Sequence, residues 1–226
     1  VVYGEIVVPG VVFVEMAMES ARAHLGDQVQ LKDVQMVWPL VVPKNGDCDE
    51  KQVWMRLAII DKRRFELRSQ NPGDDKWTTH CEGKVEVKAY TPREPESLEA
   101  VAARCPSPVD SAALYPLVDS TGLWLGPMFQ VVKGMQRSRD EISCRLRLPD
   151  GVPNSGYIIH PSLFDGTIHA VCATMLDQDP PFLKIFAGVG RVVVLAREAP
   201  KTQDVILHLR INEQTEQQQT FTCTVA

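Results

Sequence analysis

The hydrophobic pattern switches repeatedly between strand and helix periods. Val1 to Val8 is apolar and β-branched, which predicts the end of a strand. Pro9-Gly10 then opens a helix to about His24, with Val12, Phe13, Met16, Ala17 and Ala21 on one wide apolar face and Gly26 placed to end it. Strand-like segments follow at Val34 to Val42, Val53 to Asp61, Phe65 to Ser69 and Trp77 to Lys88, separated by turn-rich stretches such as Lys44-Asn-Gly-Asp and Asn71-Pro-Gly-Asp. The alternation in Lys84-Val-Glu-Val-Lys88 suits an antiparallel sheet with one face in water. Tyr90 to Asp110, rich in Pro, Glu, Ala and Ser, reads as a linker over the surface.

Beyond it the pattern predicts a short helix near Ser111 to Val118, strands at about Met128 to Arg137 and Glu141 to Leu148, and a turn at Pro149-Asp-Gly. A short apolar strand from Gly156 then runs through His160-Pro161 into a helix to Leu176, followed by strands at Lys184 to Arg197, Asp204 to Asn212 and Thr220 to Val225. Proline is tolerated in a first helical turn because its missing N–H would be unpaired there.

The strand-proline-helix arrangement occurs twice. Placing Gly4 on Gly156, an offset of 156 − 4 = 152 positions, superposes Ile6 on Ile158, Val7 on Ile159 and Pro9 on Pro161. Without a gap it also brings Leu31-Lys32 onto Leu183-Lys184, Val37 onto Val189, and Val53, Leu57 and Ile59 onto Val205, Leu209 and Ile211. A wide apolar helix followed by antiparallel strands is best buried by a curved sheet that wraps it. The expected fold is therefore α+β, a double hotdog in which two antiparallel curved sheets each wrap a long central helix. Residues 1–89 form the N-terminal hotdog in this reading, 90–110 the linker and 111–226 the C-terminal hotdog. Residues 121–155 find no partner in the first copy and 77–88 none in the second, so the chain is expected to be clipped at both ends, lacking the first strands of one hotdog and the last strand of the other.

Composition narrows the function classes. A chain of 226 residues, 44% hydrophobic and 23% charged, can bury a core, and its apolar runs are strand-sized, too short for a membrane span. No signal peptide is visible, and the net charge of −5 gives no whole-protein reason to bind nucleic acid. The six cysteines, at 48, 81, 105, 144, 172 and 223, lack any C-x-x-C pair, which argues against a zinc site or a disulfide framework and for reduced thiols in the cytoplasm.

The chemistry concentrates in Gly156-Tyr-Ile-Ile-His-Pro-Ser-Leu-Phe-Asp-Gly-Thr-Ile-His169, where Asp165 and His169 share one helix face, one turn apart. They form either an acid oriented by an imidazole or a solvated i,i+4 pair. The start of the first helix, at Gly10 and Val11, is either a source of unpaired N–H donors or a plain helix start. His160 is read as structural, His80 as packing in a strand, and His24 and His208 as surface or strand positions.

Three local patterns carry a resemblance: His160-Pro161-Ser-Leu-Phe-Asp165-Gly-Thr-Ile-His169, Gly4-Glu-Ile-Val-Val-Pro9 and Gly122-Leu-Trp-Leu125-Gly126-Pro127-Met-Phe129. In order and spacing they resemble the dehydratase domains of modular polyketide synthases, over nearly the whole chain. The resemblance implies loss of water from a 3-hydroxyacyl thioester on acyl carrier protein, giving a 2-enoyl thioester. Such a reaction needs a base for the proton alpha to the carbonyl, an acid for the departing hydroxyl and donors at the thioester oxygen. It implies Asp165 as the acid, its charged form disfavoured by an apolar chamber, with His169 orienting it. It implies substrate contacts at Pro9, Gly10, Val11, Leu125, Gly126, Pro127 and Phe129. No metal and no cofactor are implied beyond the phosphopantetheine arm of the carrier.

Two departures stand out. The family's catalytic histidine lies four residues before the glycine, which places it immediately before Val1. Both tyrosines of the third pattern are replaced, by Leu123 and Leu125, with Trp124 between them. The alternatives are a dehydratase-like isomerase of double bonds, a cyclic-ether-forming domain, or a non-catalytic structural or docking domain. Neighbouring synthase domains, a homodimer and an acidic carrier protein are the implied partners, with Lys133, Arg137 and Arg139 as candidate docking cations.

Overall fold

The computed structural model describes residues 1–42, 54–61, 63–71, 73–88, 96–177, 181, 183–195, 204–214 and 219–225. In chain order the first elements are β1 (Ile6–Val7), α1 (Gly10–Leu25), β2 (Val29–Met36), β3 (Val41–Val42), β4 (Trp54–Ile60), β5 (Arg64–Gln70) and β6 (Thr78–Val87). Then come α2 (Leu98–Arg104), β7 (Ser107–Val109), α3 (Ser111–Ser120), β8 (Val132–Arg137), β9 (Glu141–Arg147), α4 (Pro161–Cys172), β10 (Gly188–Val193), β11 (Asp204–Gln214) and β12 (Gln219–Val225). Short 3-10 turns cover Pro127–Phe129 and Ala173–Asp177. None of the described helices is long and apolar enough to cross a membrane.

The chain divides into two compact units, one of Val1–Pro92, Gly156–Pro161 and Ile185–Ala199, the other of Arg93–Ser155, Ser162–Lys184 and Pro200–Ala226. In the first unit, five antiparallel strands lie in the order β10-β2-β6-β5-β4, and α1 packs on β2, β4, β5 and β6. Pro9 caps α1 with φ −60°, the value its ring imposes, and the N–H of Gly26 closes the helix on the Arg22 carbonyl at 2.9 Å. The helix is buried more widely than the sequence stripe: Val11, Val14 and Met18 join Phe13, Ala17 and Ala21, while Val12 and Met16 are half-buried. Ladder pairing also starts earlier than the β-branched residues suggest, at Val29 opposite Val87. A bulge at Asp33, where φ is 50°, shifts its register, and Lys84 bonds the Asp33 carboxylate at 2.8 Å.

The second unit holds a five-stranded antiparallel sheet in the order β12-β11-β9-β8-β7. Its core joins Leu163, Ala170, Val171 and Cys172 of α4 to Val131, Ile142, Leu146, Leu207 and Leu209. Each such large side chain removed from water contributes about 1.5–3 kcal/mol. Gly166 lets α4 come this close, since a Cβ there would lie 2.5 Å from Val131 Cγ2 and 3.2 Å from Leu146 Cδ1.

Three expectations need correction. Gly156 to His160 is not a strand but a turn-and-bend segment, because the N–H groups of Ile158 and Ile159 are taken by the Glu15 carboxylate and not by a neighbouring strand. The stretch 90–110 is not a plain linker in its described part. Ser97 caps α2 by accepting the Ala100 N–H at 3.2 Å, Val101 and Cys105 are buried, and β7 pairs with β8. Its Glu and Ala content, read as linker composition, is equally good helix composition. Finally, residues 111–226 do not all belong to one unit: β10 pairs antiparallel with β2, with Val192 opposite Leu31, and so extends the first unit's sheet. The turn predicted at Pro149-Asp-Gly is present, closed by the Val152 N–H on the Pro149 carbonyl at 3.2 Å. The Lys44-Asn-Gly-Asp turn lies outside the described residues.

Gly166→Ala should destabilise the protein by about 1–3 kcal/mol, because overpacking against a buried β-branched neighbour outweighs the gain of up to about 1 kcal/mol in helix propensity. Equilibrium urea unfolding checks this; an unchanged or higher midpoint would show that α4 does not press on Val131.

Candidate active site

The helix that carries the candidate acid starts from an unusual local arrangement. Glu15, on the buried side of α1 and 5% exposed, extends its carboxylate to two successive amides: Ile158 N–H donates to Oε1 at 2.6 Å and Ile159 N–H to Oε2 at 2.9 Å. Burial raises the Glu15 carboxyl above its ordinary range, and the two amide bonds pull the other way. His160 follows, buried and edge-on to Tyr157 with ring centroids 4.7 Å apart; burial lowers its pKa and keeps the ring neutral. These contacts agree with a structural role for His160.

Pro161 begins α4, and one turn on lie Asp165 and His169. His169 Nε2 and Asp165 Oδ2 are 3.0 Å apart, with side chains 3% and 13% exposed. The pair is therefore not a solvated helix face. His169 Nδ1 is buried and has no hydrogen-bond partner among the described residues. A buried bare lone pair is tolerated better than a buried bare N–H, so we assign the proton to Nε2, which donates to Asp165 Oδ2. Among the described residues Asp165 Oδ1 makes no hydrogen bond.

Tyr115, on α3, was not singled out by the sequence. Its ring stands edge-on to His169, centroids 5.9 Å apart at 83°, and its hydroxyl accepts the Val132 N–H at 2.9 Å. Burial pushes that hydroxyl well above the usual phenol range, and the Asp165 charge adds to the shift. The Gly122–Phe129 segment closes on itself through Gln130 Nε2 to the Leu125 carbonyl at 2.8 Å and Phe129 N–H to the Gly126 carbonyl at 2.8 Å. Leu123 and Leu125 pack against the second unit's core, whereas Trp124 is exposed.

At the start of α1 no side chain caps the helix, and the Val12 N–H reaches the Pro9 carbonyl at 3.0 Å. Val11 is fully buried. The space a Cβ would take at Gly10 is filled by Met36 Sδ at 2.9 Å and Phe186 Cδ1 at 3.0 Å, so packing within the unit already requires glycine there. His80 is likewise accounted for, buried with Nε2 2.6 Å from Ser69 Oγ and Nδ1 2.9 Å from the Trp38 carbonyl. His24 bonds the Ser20 carbonyl, and His208, on β11, bonds Glu141 at 3.1 Å. Of the candidate docking cations, Arg137 is half-buried and donates to the Ala173 carbonyl, Lys133 folds onto the Gln130 carbonyl, and Arg139 is exposed.

The model described as "Polyketide synthase dehydratase N-terminal domain" matches residues 93–226, more than half of the chain, and "Polyketide synthase dehydratase domain" matches residues 1–70. The chain belongs to the polyketide synthase dehydratase family. It is 28% identical over 228 residues to pikromycin polyketide synthase component PikAII of Streptomyces venezuelae, an alignment covering 91% of this chain and 6% of that protein. Among solved structures, a dehydratase domain of a trans-AT polyketide synthase from Brevibacillus brevis superposes with a TM-score of 0.84 at 21% identity, covering all of this chain and 82% of that one. An inactive mutant of the CurK dehydratase, with an aspartate changed to asparagine, gives a TM-score of 0.77 at 22% identity, covering 95% of this chain and 75% of that one. At those identities the likeness speaks to fold alone, and it makes this dehydratase-family chain an α+β double hotdog.

Four of the described thiols are poor nucleophiles at neutral pH. Burial pushes Cys81, Cys144, Cys172 and Cys223 up to about 12. In the native protein at neutral pH, the buried Cys81, Cys144 and Cys172 should resist a thiol reagent such as DTNB and react only on denaturation, whereas Cys223 is only partly buried; fast native labelling of those three, located by peptide mapping, would contradict the burial described.

Proposed function

We propose that this dehydratase-family domain removes water from a 3-hydroxyacyl thioester held on the phosphopantetheine arm of an acyl carrier protein, with Asp165 as the acid. The observation that carries this reading is the asymmetry of the Asp165 carboxyl. Oδ2 is occupied by His169 Nε2–H, and Oδ1 is without a partner among the described residues. A carboxylic acid held by one oxygen presents its proton from the other.

In the proposed reaction a base takes the proton from C2 and the C2–C3 double bond forms from that electron pair. The C3–O bond breaks, and the hydroxyl leaves as water with the proton of Asp165 Oδ1. His169 holds the carboxyl in one orientation, and the domain brings no cofactor of its own. PikAII is a synthase component of which this chain matches 6%, which supports neighbouring synthase domains as partners; a carrier protein and a homodimer are the further partners that the resemblance implies. Retention of a carboxyl at 165 favours dehydration over a double-bond shift, which has no leaving hydroxyl to protonate. The inactive aspartate-to-asparagine mutant of the CurK dehydratase supports a carboxyl acid in the family.

Asp165→Asn in the synthase that carries this domain should lower conversion of a 3-hydroxyacyl thioester about 10²–10⁴-fold, the usual contribution of a general acid. Mass spectrometry of the carrier-bound product, which loses one water, measures it. Turnover at the parent rate would remove Asp165 from the role, and migration of a double bond in an enoyl substrate without water loss would favour the isomerase. His169→Leu should cost less, about tenfold, because the acid remains and only its orientation is loosened.

A further inference from the structure

Glu15 is a carboxylate in the middle of an otherwise apolar buried helix side, between Val14 and Met18. An apolar residue would fill that place without the cost of burying a charge, which is several kcal/mol for an isolated ion. What the carboxylate adds is specific: it accepts the N–H groups of two consecutive residues, Ile158 and Ile159, more than 140 positions away in sequence. Those amides belong to a segment with no ladder partner. Two residues after Ile159 comes Pro161, the first residue of α4, which has no N–H of its own to anchor the helix start.

We propose that Glu15 is a positioning residue for Asp165. By holding the backbone of Ile158 and Ile159 it sets the place and direction from which α4 begins, and therefore where Oδ1 of Asp165, one turn into the helix, is presented to substrate. The proposal rests on the reading of Asp165 as the acid. Its energetic logic is geometric: charge-assisted bonds to a carboxylate are about twice as strong as neutral ones, and displacing a catalytic group by about 1 Å can cost about 10² in rate. Glutamine keeps the shape of Glu15, but its amide has one acceptor oxygen and turns an N–H₂ toward the second amide, so one of the two bonds is lost.

The test is Glu15→Gln in the synthase that carries the domain, beside Glu15→Asp, whose shorter stem retains the charge. Four readouts are taken: kcat and KM with a 3-hydroxyacyl thioester, the melting temperature, amide hydrogen exchange at Ile158 and Ile159, and single-turnover rates of the Glu15→Gln/Asp165→Asn double variant. For Glu15→Gln we expect kcat to fall about 10- to 100-fold with KM within about threefold. Exchange at Ile158 and Ile159 should quicken at least about tenfold, and the double variant should be no slower than Asp165→Asn alone, because Glu15 acts through Asp165. Glu15→Asp should recover part of kcat. Parent kcat in Glu15→Gln, a loss that vanishes when the assay is cooled well below the melting point, or a loss that multiplies with that of Asp165→Asn would each overturn the proposal. Full activity of Asp165→Asn alone would instead sink the acid assignment, whereas faster exchange at Ile158 and Ile159 would still report the tether by itself.

Discussion

Backbone amides brought near the protein interior must find acceptors, and in this chain that rule decides how the second helix begins. The amides of Ile158 and Ile159 are satisfied by a single side chain, the Glu15 carboxylate, at 2.6 and 2.9 Å. The corresponding approach in the first copy is solved differently. There, Val8 N–H bonds the Leu40 carbonyl at 2.9 Å, and Ile6 and Val7 pair with Val42 and Val41 in a two-strand ladder. Both copies enter a helix through proline, but one is steered by strand pairing and the other by a buried charge. A ladder spreads its hold over several residues, whereas a carboxylate concentrates it on two bonds next to the turn that carries Asp165.

The helices themselves are held by close approach to sheets. In the first unit, Met36 and Phe186 fill the space beside Gly10, and Val11 is fully buried. In the second, Gly166 lets α4 come against Val131 and Leu146. Glycine in a helix weakens it by about 1 kcal/mol relative to alanine. Here that local loss is offset by contact between helix and sheet, which burial of Leu163, Val171 and Leu146 in one core makes worthwhile.

Much of this was legible in the sequence because it was written in side chains. The proline and glycine echo at Gly4 and Gly156 pointed to two related helices, and the helical stretch of the second copy, α4 with its 3-10 extension to Asp177, ends 152 positions after Leu25. Asp165 and His169 were placed together by helical spacing alone, and the structure brings them to 3.0 Å. What stayed illegible was partner choice by backbone groups, which carry no side-chain signature. Ile158-Ile159 is β-branched and reads as a strand, yet its amides go to Glu15. β10 reads as part of the second copy, yet its ladder partner is β2. The Ala- and Glu-rich stretch around α2 could be linker or helix on composition, and only the Ser97 cap could have tipped the balance. Tyr115 was missed because it belongs to no motif.

That tyrosine also shows why the orientation of the Asp165 carboxyl is a property of the whole second unit. The ladder between β8 and β9 shifts register between Val132 and Gly134, and the Val132 N–H goes to the Tyr115 hydroxyl instead of a strand partner. Anchored at that end, the Tyr115 ring stands edge-on against His169 and restricts how the imidazole turns. The imidazole in turn occupies Asp165 Oδ2 and no other hydrogen-bonding group among the described residues, since its Nδ1 is bare. A sheet irregularity, a phenol, an imidazole and a carboxyl thus form one chain of contacts, each member fixing the next. Because only the last has an oxygen left over, the order of that chain determines which atom of the site is available to carry a proton.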